Sequence, residues 1–325
     1  MEETIVARAR RCFAITGLTV FLILKTIIGT RPGRWALVSA QTLTVIDCSE
    51  VNPTPGDYLV EVESSGQTRQ FRLHIPLGHQ ASNPMPLVIN LHGYGGSGAQ
   101  QEVLSDMSDK ADEAGFIAVH PEGRGTPQGW YVGPAVEGQQ EDVQFIRDLV
   151  HCLEDRLSID PVRVYATGFS NGGGMANRLG CDLSDVIAAI GPVSGAYFSF
   201  DICQPVRPVP VVAFHGTADE IVPYDGGALL PPIPEWAADW AVRNDCSLTS
   251  TVTYSQGDIV GETWADCTDN ATVTLYTIED GRHTWPGSDS PGATQDITAT
   301  DTIWEFFSAH SLRRLVYLPL VLRAY

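Results

Sequence analysis

Gly168-Phe169-Ser170-Asn171-Gly172 is a G-x-S-x-G pattern, and it occurs once in the 325-residue chain. A serine hydroxyl alone is a weak nucleophile. It gains strength when a neighbouring base takes its proton and a carboxylate holds that base in place. The run before the pattern, VRVYAT, reads as a strand, and the stretch after it, NGGGMANRL, reads as a helix. Ser170 would then sit on a sharp strand-to-helix turn with its hydroxyl held at the sheet edge. Glycine on either side removes the Cβ atoms that such a turn would drive together.

The base and its acid should follow at later strand ends, in the chain order serine, acid, histidine. Asp219 lies in HGTADEIVPY, just past the apolar run VPVVAF. His283 lies in GRHTWPG, just past TVTLYTI. Both positions read as loops at strand ends, where a rigid sheet presents reactive groups. Beyond Ser170 the other histidines are His215 and His310. His215 precedes the acid and His310 falls in the last helical stretch, so both fit the order badly. Asp225 and Glu220 are the competing acids; Asp225 is further from the strand end, and Glu220 is adjacent to Asp219.

Attack on a carbonyl generates an oxyanion that needs two backbone N–H donors. The residue after the nucleophile, Asn171, supplies one. The Gly-rich loop LHGYGGSG supplies the other, with Tyr94 the first candidate and Gly93 the second. The same loop lacks the GK[ST] of a phosphate-binding loop, so nucleotide binding has little support. Among the aromatics near these loops (Trp130, Tyr131, Tyr224, Trp236, Trp285), Trp285, Trp130 and Tyr131 are the candidates for a substrate wall, with Trp285 foremost. No CxxC and no Cys/His cluster has metal-ligand spacing, so neither a metal nor another cofactor is expected.

The elements that must position these residues can be read from periodicity. Residues 57–64 and 67–75 alternate as a strand pair around Ser64-Ser65-Gly66. Buried-strand patterns recur at 86–91, 116–120, 162–166, 187–193, 209–214 and 272–278. Helical spacing covers 100–114, 142–157, 234–243 and 300–309. A strand pair followed by strand–helix alternation predicts an α/β protein of the α/β-hydrolase fold, with a mostly parallel central sheet and helices on both faces. The expected organisation is a signal peptide or anchor over 1–40, a lead-in over 41–56, a catalytic domain over 57–310 and an apolar tail over 311–325.

Composition narrows the partners. The formal net charge is −19, and without residues 1–40 the chain has 14 cations against 37 acids. Such a field repels phosphate backbones and anionic lipid, so nucleic acid is not an expected partner, whereas a neutral polymer or small ester is. Arg8, Arg10 and Arg11 precede an apolar run over 12–24, and Val38-Ser39-Ala40 offers a small-residue cleavage site, the pattern of an export signal. Lys25 interrupts the fit, and an uncleaved segment would leave a membrane anchor. Either outcome places the body outside the cytoplasm. Six cysteines follow residue 40, an even number that favours disulfides there. Cys246–Cys267, flanking one hairpin, is the first expected pair and Cys181–Cys203 the second.

The motifs in order, LHGYGGSG, RVYATGFSNGGGMANRLGCDLSDVIAAIGPVSGAY, HGTADEIVPYDGG, PPIPEWAADWAVRNDC and GRHTWPG, resemble the feruloyl esterase and polyhydroxybutyrate depolymerase-like group of secreted α/β-hydrolases. The resemblance covers about residues 45–310. It implies Ser170, Asp219 and His283 as the triad and Tyr94 and Asn171 at the oxyanion. It also implies ester substrates such as feruloylated plant xylan or polyester chains. The segments YDGG, PPIPEW and RNDC look more like the feruloyl branch. The expected function is therefore a secreted serine ester hydrolase releasing hydroxycinnamate from plant xylan. A polyester depolymerase or acetyl esterase is the nearer alternative, and a non-catalytic extracellular binding module the more distant one.

Overall fold

The structure, a computed structural model, describes residue 43 and residues 45–133, 140–198, 203–227 and 229–312. The chain runs β1 (Val45–Asp47), β2 (Gly56–Ser64), β3 (Gln67–Ile75), β4 (Met85–Leu91), α1 (Gly98–Ser105), α2 (Met107–Ala114), β5 (Ile117–Pro121), α3 (Glu141–Arg156) and β6 (Ile159–Phe169). It continues through α4 (Asn171–Asp182), β7 (Ala189–Val193), β8 (Val211–Gly216), α5 (Ile233–Arg243), β9 (Thr251–Gln256), β10 (Ile259–Trp264), β11 (Val273–Ile278) and α6 (Ala299–Ser308). The strands form one sheet in the order β1-β2-β3-β5-β4-β6-β7-β8-β11-β10-β9. Its centre, from β5 through β4, β6, β7 and β8 to β11, is parallel. The β2–β3–β5 and β9–β10–β11 flanks are antiparallel. This is the α/β-hydrolase architecture expected from the alternation of patterns.

All seven residues of β4 are buried, which is why its sequence is a continuous apolar run instead of an alternating one. On one face α3, α4 and α5 pack Phe145, Leu149, Met175, Leu179, Trp236 and Trp240 against the sheet. On the other, α2 and α6 contribute Met107, Ala111, Ile303 and Phe307. In α3 the buried residues Phe145, Ile146, Leu149, Val150 and Leu153 recur at helical spacing, with Glu141 and Asp142 in the first turn and Arg156 in the last, as the helix dipole favours.

Two local expectations are corrected. The helical stretch over 100–114 is two helices, because Asp106 adopts a left-handed conformation (φ 50°) and breaks the turn between them. The lead-in over 41–56 is also more than a connector. Its β1 pairs in parallel with β2, and Cys48 is bonded to Cys152 of α3. The Cys181–Cys203 and Cys246–Cys267 bonds form as expected, the latter enclosing the β9–β10 hairpin. Among the described residues no helix is long and apolar enough to cross a membrane. The export or anchor segment over 1–40 and the tail beyond Leu312 lie outside the described residues.

Candidate active site

Ser170 sits between the end of β6 and the start of α4 with φ 56° and ψ −117°, a conformation that an L-residue adopts only when its surroundings force it. The force is visible. The Ser170 N–H donates to the Val193 carbonyl, and the Ser170 carbonyl accepts from the amides of Gly174 and Ala196. Gly172 is obligatory on packing grounds: a Cβ there would run into the Leu91 carbonyl oxygen at the end of β4. The serine is thus pinned at the C-terminal edge of the parallel strands and is partly exposed.

Asp219 and His283, the expected acid and base, lie on two loops stitched together just beyond β8 and β11, which are paired in register from Val211↔Val273 to Gly216↔Ile278. Past the sheet the Thr217 amide donates to Ile278 O, the Ala218 amide to Gly281 O, and the Asp280 amide to Thr217 Oγ1. This brings Asp219 Oδ2 to 2.7 Å from His283 Nδ1. The other carboxylate oxygen accepts the Ile221 and Val222 amides at 2.9 and 2.8 Å. Burial works to raise the Asp219 pKa, but the hydrogen bonds from His215, His283 and Val222 outweigh it and hold the carboxyl well below the ordinary range. An ionised Asp219 accepts from His283 Nδ1–H, which leaves Nε2 with its lone pair. The His283 ring lies 4.7 Å from that of Phe169, the residue before Ser170. Among the described residues the carboxylate that His283 bonds is that of Asp219, not of the competing acids Asp225 and Glu220, and His310 lies beyond α6.

The Gly-rich loop after β4 closes the site from the other side. A Cβ on Gly93 would stand 3.3 Å from Ser170 Cβ, so this backbone passes directly beside the serine. Among the described residues the backbone N–H groups of Tyr94 and Asn171 donate to no protein acceptor. Asn171 does more than offer its amide. Its side chain accepts from Trp130 N at 2.7 Å and donates to Trp130 O at 3.1 Å, clamping the loop after β5 onto the start of α4. The Trp130 indole N–H donates to His92 O. His92 Nδ1 donates to Gly93 O at 2.7 Å and His92 Nε2 accepts from the Gly123 amide at 2.9 Å. Sequence reasoning missed His92. Its only signal is its place at the head of HGYGG, and its role emerges only when two distant loops meet.

Beside this loop is a cavity of about 540 Å³ lined by Tyr94, Arg124, Pro127, Trp130, Tyr131 and Glu141. Tyr94, Trp130 and Tyr131 are thus brought together. Trp285 is not. It is 1% exposed, its indole N–H donates to Thr300 Oγ1, and it packs in the core with Ile297, Ala299 and Ile303. The substrate-wall expectation for Trp285 is corrected: two residues past His283 the chain has already turned back into the sheet face.

The family described as "Esterase PHB depolymerase" matches residues 70–223. Feruloyl esterase B of Piromyces equi is 34% identical over 235 residues, covering 66% of this chain and 42% of that protein. A protein described as "Probable feruloyl esterase C" of Aspergillus oryzae is 30% identical over 250 residues, covering 74% of this chain and 84% of that protein. The chain belongs to the feruloyl esterase and polyhydroxybutyrate depolymerase-like family of ester hydrolases. The chain spans less than half of the Piromyces protein but most of the Aspergillus one. Its fold is also that of the acetyl xylan esterase from Aspergillus awamori, with a TM-score of 0.58 at 17% identity, over 77% of this chain and 98% of that one.

Proposed function

We propose that the esterase cleaves its substrate by acyl transfer through Ser170. His283 Nε2 takes the hydroxyl proton as Ser170 Oγ attacks the ester carbonyl. Asp219 stabilises the imidazolium that forms, and the amides of Tyr94 and Asn171 donate to the oxyanion. The tetrahedral intermediate collapses as the imidazolium protonates the departing alcohol. Water then repeats the sequence on the acyl-enzyme, releasing the acid and restoring Ser170. The observation that carries this reading is the 2.7 Å bond between His283 Nδ1 and a fully buried Asp219 carboxylate, on loops stitched together beside the strained serine turn.

The substrate we propose is a hydroxycinnamate ester of plant cell-wall xylan, met outside the cell. Support comes from the feruloyl esterases among the relatives, from three disulfides that suit an oxidising compartment, and from an acidic surface that a neutral polysaccharide tolerates. Tyr94, Trp130 and Tyr131 would offer the aromatic lining of the substrate cavity, Tyr94 being 69% exposed. The family match over 70–223 also favours a second reading, a short polyester. A kcat/KM panel of methyl ferulate, hydroxybutyrate oligomers and p-nitrophenyl acetate tests the choice. Methyl ferulate should lead; preference for the oligomers would overturn the feruloyl assignment and leave the triad standing.

A further inference from the structure

His215 is the penultimate residue of β8, four residues ahead of Asp219, and is 1% exposed. Its Nε2 lies 2.8 Å from the Val222 carbonyl oxygen and 3.4 Å from Asp219 Oδ2. A carbonyl oxygen only accepts, so Nε2 carries the proton and Nδ1 the lone pair. Nδ1 is buried without a hydrogen-bond partner among the described residues. A buried orphan acceptor costs free energy, and an apolar ring of similar shape would avoid that cost. The imidazole therefore needs another reason to be there.

The reason lies in how Asp219 is held. Its Oδ1 is fixed by the Ile221 and Val222 amides. Those two bonds still leave Oδ2 free to swing about Oδ1. His215 removes that freedom, because its N–H grips the far end of the same turn at Val222 O while approaching Oδ2. Two imidazoles thus converge on one carboxylate oxygen, His283 from the solvent side and His215 from the core. We infer that His215 is a positioning residue, which aims the Asp219 carboxylate at His283 Nδ1. The inference rests on the reading of Asp219 as the acid of the site.

Turnover of p-nitrophenyl acetate by wild type, His215→Phe, His215→Gln and Asp219→Asn tests it. His215→Phe keeps the ring and loses the donor, so kcat should fall about tenfold, the scale of one lost hydrogen bond to a charged group, with KM changed less than about twofold. His215→Gln, whose amide can return an N–H to the same place, should recover most of the loss. A Phe variant with kcat within about twofold of wild type overturns the inference, as does a Gln variant no better than Phe, which would mark a packing role. Should the Phe variant not fold, 15N NMR of the wild-type imidazoles decides: a proton on His215 Nε2 supports the inference and a proton on Nδ1 overturns it. Asp219→Asn keeps the two readings apart. Near wild-type turnover in that variant would overturn the reading of the site itself, whereas its loss beside an unaffected His215→Phe would overturn only the role of His215.

Discussion

The backbone of Gly216 lies against that of Gly281 so closely that a Cβ on Gly216 would sit inside the contact distance of the Gly281 carbonyl. This contact sets the spacing between the loop that carries Asp219 and the loop that carries His283. Gly216→Ala should force the loops apart. A displacement of about 1 Å at a catalytic group can cost on the order of a hundredfold in rate. We expect kcat to fall by about that factor in a protein that still folds. Wild-type kcat in a folded Gly216→Ala variant would show that the loop spacing does not matter.

Trp285 belongs to the core, so its loss should register in stability. Trp285→Ala removes a fully buried indole and its bond to Thr300, and should cost about 3–5 kcal/mol in urea unfolding. Trp285→Phe should cost clearly less, since it keeps most of the buried ring. A cost under about 1 kcal/mol for the alanine variant would return Trp285 to the list of substrate contacts.

Two buried histidines set opposite limits on stability with pH. Burial pushes His120 down to about 4. The unfolded chain binds that proton near ~6.5, so stability is complete above this value and falls as the pH drops toward 4. Burial also opposes charge on His74, but Asp57 and Asp112 on either side outweigh it and raise its pKa. Its contribution is present below the ordinary histidine value and fades as pH rises through the raised one. Maximum stability should therefore lie near the ordinary histidine range. Replacing the titrating group in His120→Gln should shrink the stability difference between pH 7 and pH 4.5 by roughly 2–3 kcal/mol. Unfolding curves at the two pH values measure this, and an unchanged difference would contradict it.

The parts of the site that could be read from the sequence are those set by local chemistry. Ser170 announces itself because a strand-to-helix turn demands glycine at both ends. Asp219 and His283 do so because apolar runs end just before them, in the order this sheet imposes. What could not be read depends on distant partners. Nothing local to Trp285 shows that Thr300, fifteen residues on, takes its indole N–H and pulls the ring into the core. His92 ties the loop after β4 to the loop after β5, and Asn171 ties the latter to the start of α4, meetings no periodicity encodes. The break at Asp106 was hidden because apolar spacing continues across it. The Cys48–Cys152 bond spans 104 residues, beyond the reach of the flanking-hairpin argument that identified Cys246–Cys267.

The central claim is that Ser170 is the nucleophile, and steady-state hydrolysis of p-nitrophenyl acetate by purified Ser170→Ala tests it most directly. Loss of a triad serine costs on the order of 10⁶ in kcat in a well-studied protease. The account predicts a folded Ser170→Ala protein, with melting behaviour close to wild type and turnover reduced by several orders of magnitude. A variant that retained more than a few per cent of wild-type kcat, with contaminating esterase excluded, would contradict the account.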